Sequence, residues 1–263
     1  MLVLLPPSEG KTSPRRGRPL DVEQLSHPSL TATREEVLDA LVALSGGPHA
    51  AARLGVGASL LDEVERNTRL RSLPTAPARL VYSGVLYGAA GLAGLGGTAA
   101  RRAQRSVRTV SALWGLVAPL DRIPAYRLSM GTDLAGIGPL ARRWRGPLAE
   151  EMSSVAASSS GRLLVDCRSA DYLAAWRPSG TEWDHVAVRV LRDDGDRLTV
   201  VSHEAKYTRG LLVGHLLGRE PALPRNADEL ADAACAVLGV AGAELTGTEG
   251  RRVLSLVTRP AER

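Results

Sequence analysis

The chain holds two lysines, Lys11 and Lys206, against thirty-one arginines. Where almost every solvated positive charge is arginine, a surviving lysine is expected at a place that needs a compact ammonium able to lose its proton. Lys11 stands in Pro7-Ser8-Glu9-Gly10-Lys11-Thr12, directly after a short apolar run, and Lys206 in His203-Glu204-Ala205-Lys206, three residues before Arg209. Between them, Asp166-Cys167-Arg168-Ser169-Ala170-Asp171-Tyr172 gathers carboxylates, a hydroxyl and a phenol in one stretch. Amine, carboxylate, imidazole and phenol are the groups of acid–base or Schiff-base chemistry on a small anionic or nucleoside-like substrate. Lys11, Lys206, Asp166, Ser169, Tyr172 and His203 are therefore the candidate catalytic residues. Arg127, Arg168 and Arg209 are the candidate anion ligands beside them.

Better-known motifs fail at single positions. Gly10-Lys11-Thr12 has Leu5 where a phosphate-binding loop needs its first glycine. Gly94-Leu95-Gly96-Gly97-Thr98-Ala99 has the letters of a dinucleotide fingerprint but follows a helical Gly/Ala stretch instead of a strand. His203-Glu204 has Tyr207 where a zinc helix needs its second histidine. No metal centre and no cofactor are expected. Cys167 and Cys235 make neither a disulfide framework nor a metal knuckle, which suits a reducing cytoplasm. No apolar run reaches the roughly 18–20 residues of a membrane span, so no membrane partner is expected.

Charge offers a second kind of chemistry. Residues 101–150 carry nine arginines against three acidic residues, a local +6 that exceeds the net +5 of the whole chain. Arg101, Arg102, Arg105 and Arg108 lie there at near-helical spacing, and Arg142, Arg143 and Arg145 follow. Such a block suits an anionic partner, such as nucleic acid or a phosphorylated ligand. No base-reading pattern is present and aromatic residues number only nine, so binding should be tolerant of sequence. Gly55-Val56-Gly57 and Gly136-Ile137-Gly138 are both turns of the kind that offer backbone N–H groups to a phosphate, which makes Gly55 and Gly57, or Gly136 and Gly138, candidate contacts. A role in binding a protein partner is the third class left open.

The elements that must position these groups alternate in type. Residues 2–5 read as a buried strand stopped by Pro6-Pro7, and residues 12–33 as a surface excursion. Thr33 followed by Glu36 marks a capping box opening a helix that ends before Gly46. Residues 48–54 and 58–70 read as helices around Gly55-Val56-Gly57. Strands are expected at 79–82, 107–113, 162–167 and 253–257, with a hairpin of 185–191 and 197–203 around Asp193-Asp194-Gly195-Asp196. Helices are expected at 137–154, 171–176, 206–217 and 228–238. This is one mixed α/β domain over 1–263, with a helical segment at about 34–73. Its polar groups sit at strand ends, where an open sheet makes a crevice, so Lys11, Arg127, Arg168, Ser169, Tyr172 and Lys206 should share one cleft.

The run from Val110 to Met130, with Ser111-Ala112-Leu113-Trp114-Gly115, Pro119-Leu120-Asp121 and Pro124-Ala125-Tyr126-Arg127-Leu128, resembles the YaaA family of peroxide-stress proteins. Pro7 to Thr12, Val81-Tyr82-Ser83-Gly84-Val85-Leu86-Tyr87, Arg168 to Tyr172 and His203 to Gly210 are similar to further blocks of that family. The resemblance runs from residue 1 to about 218, and the last 45 residues match only loosely. It implies a single compact α/β domain of the kind called the cantaloupe fold, a helix-hairpin-helix element near residues 48–68 and a positively charged cleft. It also implies a cytoplasmic protein that binds DNA and limits oxidative damage by keeping free iron low. Arg209 stands where lysine is common nearby in the family, and Glu204-Ala205 replaces an Asn-bearing pair.

Overall fold

Leu2-Val3-Leu4-Leu5 is apolar at every position, which suits a strand covered on both faces. The computed structural model describes residues 1–178, 181–195, 197–200, 203–220 and 222–259, and there the run is strand β1 (Leu2–Leu5), buried throughout. It is joined in one eight-stranded sheet by β2 (Val107–Ser111), β3 (Gly115–Val117), β4 (Leu163–Asp166), β5 (Asp184–Asp193), β6 (Leu198–Val200), β7 (Val240–Thr248) and β8 (Arg251–Thr258). The order is β7-β8-β5-β4-β1-β2-β3, with β6 paired to the far end of β5. The inner strands β8, β5, β4, β1 and β2 are parallel, and β7, β6 and β3 pair antiparallel with their neighbours. Because β1 has β2 on one side and β4 on the other, it lies at a switch point of the sheet. Leu5 pairs with Thr109 and Leu4 with Asp166, so the three strands end side by side.

Ten helices among the described residues cover this sheet and its edges: α1 (Thr31–Ser45), α2 (Ala50–Arg53), α3 (Leu61–Asn67), α4 (Ala78–Val81), α5 (Val85–Ala89), α6 (Gly97–Ser106), α7 (Leu140–Ser158), α8 (Ala170–Ala175), α9 (His203–Gly218) and α10 (Ala227–Cys235). The core is leucine and valine, with Trp114 and Trp144 as its largest buried side chains. No helix among the described residues is long and apolar enough to cross a membrane.

Helix α9 brings Lys206 and Arg209 towards the strand ends by packing against α5 at two glycines. A Cβ at Gly210 would lie 2.4 Å from the Leu86 carbonyl oxygen, and one at Gly214 would lie 3.0 Å from that of Ala90. Gly210→Ala is expected to push the helices apart at a cost of about 1–3 kcal/mol, measured as a lower urea midpoint.

Several local expectations are corrected. Residues 79–81 lie in the single turn of α4 and not in a strand, and Tyr82 after it makes only an isolated bridge. The Asp121 and Pro119 carbonyls hold the Ala78 and Arg79 amides at 2.7 and 3.1 Å, which overrides the β propensity of Leu80-Val81-Tyr82. Thr33 is not an N-cap: a 3-10 turn at Pro28–Leu30 starts α1 earlier and leaves Thr33 buried inside it. Gly136-Ile137-Gly138 lies in a small hairpin, Asp133–Leu134 against Gly138–Pro139, and not between helices. Strand β7 was unforeseen because Val-Ala-Gly-Ala-Glu-Leu-Thr-Gly-Thr gives no alternating pattern on an exposed sheet edge. Around Gly55 the helices are short: α2 has 4 residues and α3 has 7 after a 3-10 turn. The amides of Gly55 and Val56 donate to Ala52 and Ala51 within the turn, at 3.1 and 2.9 Å.

Candidate functional site

Pro6-Pro7 stops β1 from extending, and the chain folds into a tight loop over the strand ends. The Ser8 hydroxyl donates to the Gly10 carbonyl at 2.5 Å and accepts from the Ser83 amide at 3.1 Å. This contact requires Gly84, since a Cβ there would meet the Ser8 Cβ at 2.8 Å. Lys11 then forms an isolated bridge with Tyr82, and the Thr12 amide donates to the Val81 carbonyl at 2.8 Å. The Lys11 ammonium folds back to donate to the Ser8 carbonyl at 2.6 Å and lies 4.3 Å from the ring centre of Tyr126.

Beneath it is a layer of phenols. The Tyr126 hydroxyl meets those of Tyr82 at 3.0 Å and Ser111 at 2.7 Å, and the Tyr87 hydroxyl donates to the Pro6 carbonyl at 2.9 Å. Burial raises the pKa of all three tyrosines, so the floor stays uncharged. Burial pushes the Lys11 ammonium down to about 7, and the nearby Arg127 charge pushes the same way against the weaker pull of Glu63 and Glu9. Arg127 is fixed by a residue the sequence did not single out. Buried Asn67 at the end of α3 accepts from the Arg127 amide at 2.9 Å and donates to its carbonyl at 2.8 Å. A lone asparagine at a helix end carries no sequence signal for this clamp. The Arg127 guanidinium lies 3.5 Å from Glu63.

Lys11, Tyr87 and Arg127 border a cavity of about 520 Å³ at the carboxyl ends of β1 and β4. Lys11, Arg127, Lys206 and Arg209 bring four basic side chains to it, and Glu9 and Asp171 bring two carboxylates. Ser169, Tyr172 and Cys167 line it from the β4 side, and Gly55 and Val56 from the other. Burial keeps the Tyr172 phenol protonated and pushes the Cys167 thiol up to about 12, so neither is an anion at neutral pH. Lys206 sits at the rim, its side chain 57% exposed and 4.0 Å from Glu9. Arg209 gives two N–H groups to the Val188 carbonyl, at 3.1 and 2.8 Å.

The other sequence candidates lie elsewhere. Asp166 and Arg168 are not in the cavity but form a buried pair behind it, 2.7 Å apart and 1% and 0% exposed. Burial opposes the Asp166 charge, but the hydrogen bonds and charge of Arg168, aided by His185, outweigh it and hold this carboxyl well below the usual range. Arg168 also donates to the Tyr172 and Trp176 carbonyls at 3.3 and 3.0 Å, tying α8 to β4. It is thus a strut for the cavity wall and not an anion ligand. Gly57 does not line the cavity. His203 opens α9, and its side chain lies outside the described residues. In the basic block, Arg102 donates to the Leu217 and Arg219 carbonyls, Arg108 to His27 at 2.8 Å, and Arg143 to Glu36 at 2.8 Å. Arg101, Arg105, Arg142 and Arg145 are exposed.

The family model described as peroxide stress protein YaaA matches residues 1–236. A UPF0246 protein of Streptomyces coelicolor is 47% identical over 236 residues, 89% of this chain and 88% of its own length. A UPF0246 protein of Corynebacterium efficiens is 39% identical over 264 residues, 98% of this chain and 100% of its own. One from Corynebacterium glutamicum is 38% identical over 218 residues, 81% and 83% of the two chains.

Proposed function

The chain belongs to the peroxide stress protein YaaA family, and from that premise we propose that it serves peroxide defence in the cytoplasm through chemistry in the Lys11 cavity, on a small anionic or nucleoside-like substrate. The observation that carries this reading is the placement of the Lys11 amine, 4.3 Å from the Tyr126 ring centre and lining a cavity of small-molecule size together with Arg127, Lys206 and Arg209, where burial and the Arg127 charge push its pKa down to about 7. An amine whose pKa is lowered towards neutrality offers a free lone pair, able to accept a proton or to add to a carbonyl carbon. Arg127 and Arg209 orient the anionic end of the substrate, Lys206 attracts it at the rim, and the Tyr172 phenol is a proton donor on the opposite wall. Having only two lysines makes the test direct. Lysine-selective 13C labelling gives two Cε resonances, and Lys11→Arg identifies the one to follow. That resonance is expected to titrate with a midpoint near 7. A midpoint above 9 would overturn the reading.

A second reading, sequence-tolerant binding of double-stranded DNA, rests on the four exposed arginines of α6 and α7. The expected helix-hairpin-helix adds little to it, because the Gly55 and Val56 amides are already used within their turn. With about four phosphate contacts, log affinity should fall against log salt with a slope of about −3 to −4. A filter-binding titration at several salt concentrations reads that slope, and affinity indifferent to salt would remove the reading.

A further inference from the structure

A second recess, of about 540 Å³, opens where Arg177, His185, Arg251 and Arg252 surround Leu173 and Val253. Helix α8 serves both cavities, with Asp171 and Tyr172 lining the first and Leu173 the second. The wall carrying Arg251 to Val253 belongs to β8, which lies beyond the residues 1–236 matched by the family model.

Its positive charge is only partly compensated. Asp184 serves Arg252 at 3.6 Å, and Asp166 is occupied by Arg168 at 2.7 Å and by the His185 Nε2 at 3.1 Å. Arg177 and Arg251 are exposed and pair with no carboxylate among the described residues. His185 Nε2 lies 3.1 Å from the Asp166 carboxylate, which fixes the ring at the edge of the recess. We infer that this recess binds a small phosphate-bearing ligand, gripped by the Arg177 and Arg251 guanidinium groups with His185 beside them. Guanidinium groups match phosphate oxygens two at a time, and the volume is that of a small-molecule site and too small for duplex DNA.

The phosphate could belong to a free inorganic anion or to a nucleotide, so both are used as probes. Pyrophosphate and AMP are titrated into the full chain at constant ionic strength, by calorimetry and by histidine-selective NMR, with the His185 signal assigned through His185→Gln. Saturable binding of at least one probe is expected, with a shift of the His185 signal. The Arg177→Ser/Arg251→Ser double variant should weaken that binding at least tenfold with an unchanged melting temperature, because both side chains are exposed. Lys206→Ser, which alters the first cavity, should change it less than twofold. Tighter binding of pyrophosphate would assign the site to free phosphates, and tighter binding of AMP to nucleotides. The inference is overturned if neither probe saturates, if the double variant binds as the parent does, if the loss follows Lys206→Ser instead, or if duplex DNA alone binds there.

Discussion

Lys11→Arg is expected to leave the protein folded and to reduce protection in a peroxide-stressed strain lacking the native gene to the level of the empty vector. In vitro, on the cavity's substrate, the same change should cost on the order of 10²–10⁴ in rate. Guanidinium keeps its proton to above roughly pH 12, so charge is preserved and the free amine is lost. Lys206→Arg should protect as the parent does, because its side chain is mostly solvated and needs only charge. The sequence alone expects the two lysines to behave alike, and the structure divides them. Full protection by Lys11→Arg would reduce the cavity to a charge-only binder.

The depressed Lys11 value also shapes stability. Its pKa is near 7 in the folded chain and 10.5 as the ordinary value, so between those limits the unfolded chain holds more protons. The Lys11 contribution to stability therefore rises with pH from about 7 to 10.5, and below 7 the buried ammonium is a standing cost. Lys11→Met should remove this rise and be relatively more stable at pH 6. Urea midpoints of parent and variant across pH 6–10 measure the difference.

Arg168→Ala should be the most damaging of the substitutions considered, costing about 3–5 kcal/mol, because it strands the Asp166 carboxylate without its main partner. Arg168→Ala/Asp166→Ala should cost less than the sum of the single changes, since no buried charge remains unpaired. The folded Asp166 carboxyl lies below its ordinary value of 3.8, so its contribution is fully present above that value. It is lost only as pH falls through the lower folded value. Arg168→Ala should therefore narrow its stability deficit relative to the parent in strong acid and keep the full deficit at pH 7. Equal denaturation midpoints at pH 7 would mean that the pair does not hold α8 against β4.

What the sequence determined by itself was local and periodic. Leu2 to Leu5 and Leu163 to Val165 had to be covered strand segments because every residue in them prefers to leave water, and Pro6-Pro7 had to end the first. Alternation around Asp193 to Asp196 specified a hairpin, and the place of Lys11, Ser169 and Lys206 near strand ends put them at one crevice. Only the tertiary structure decided what each charged group would do there. Lys11 is desolvated by phenols from Tyr82 and Tyr126 and repelled by Arg127, groups brought near only by folding. Asp166 and Arg168, adjacent in sequence to the cavity residues Cys167 and Ser169, fall on the other side of the extended chain and neutralise each other. Asn67 reaches Arg127 across sixty residues to fix its backbone. A pKa or a salt bridge depends on distance and exclusion of water, and both are properties of packing between segments far apart in the chain.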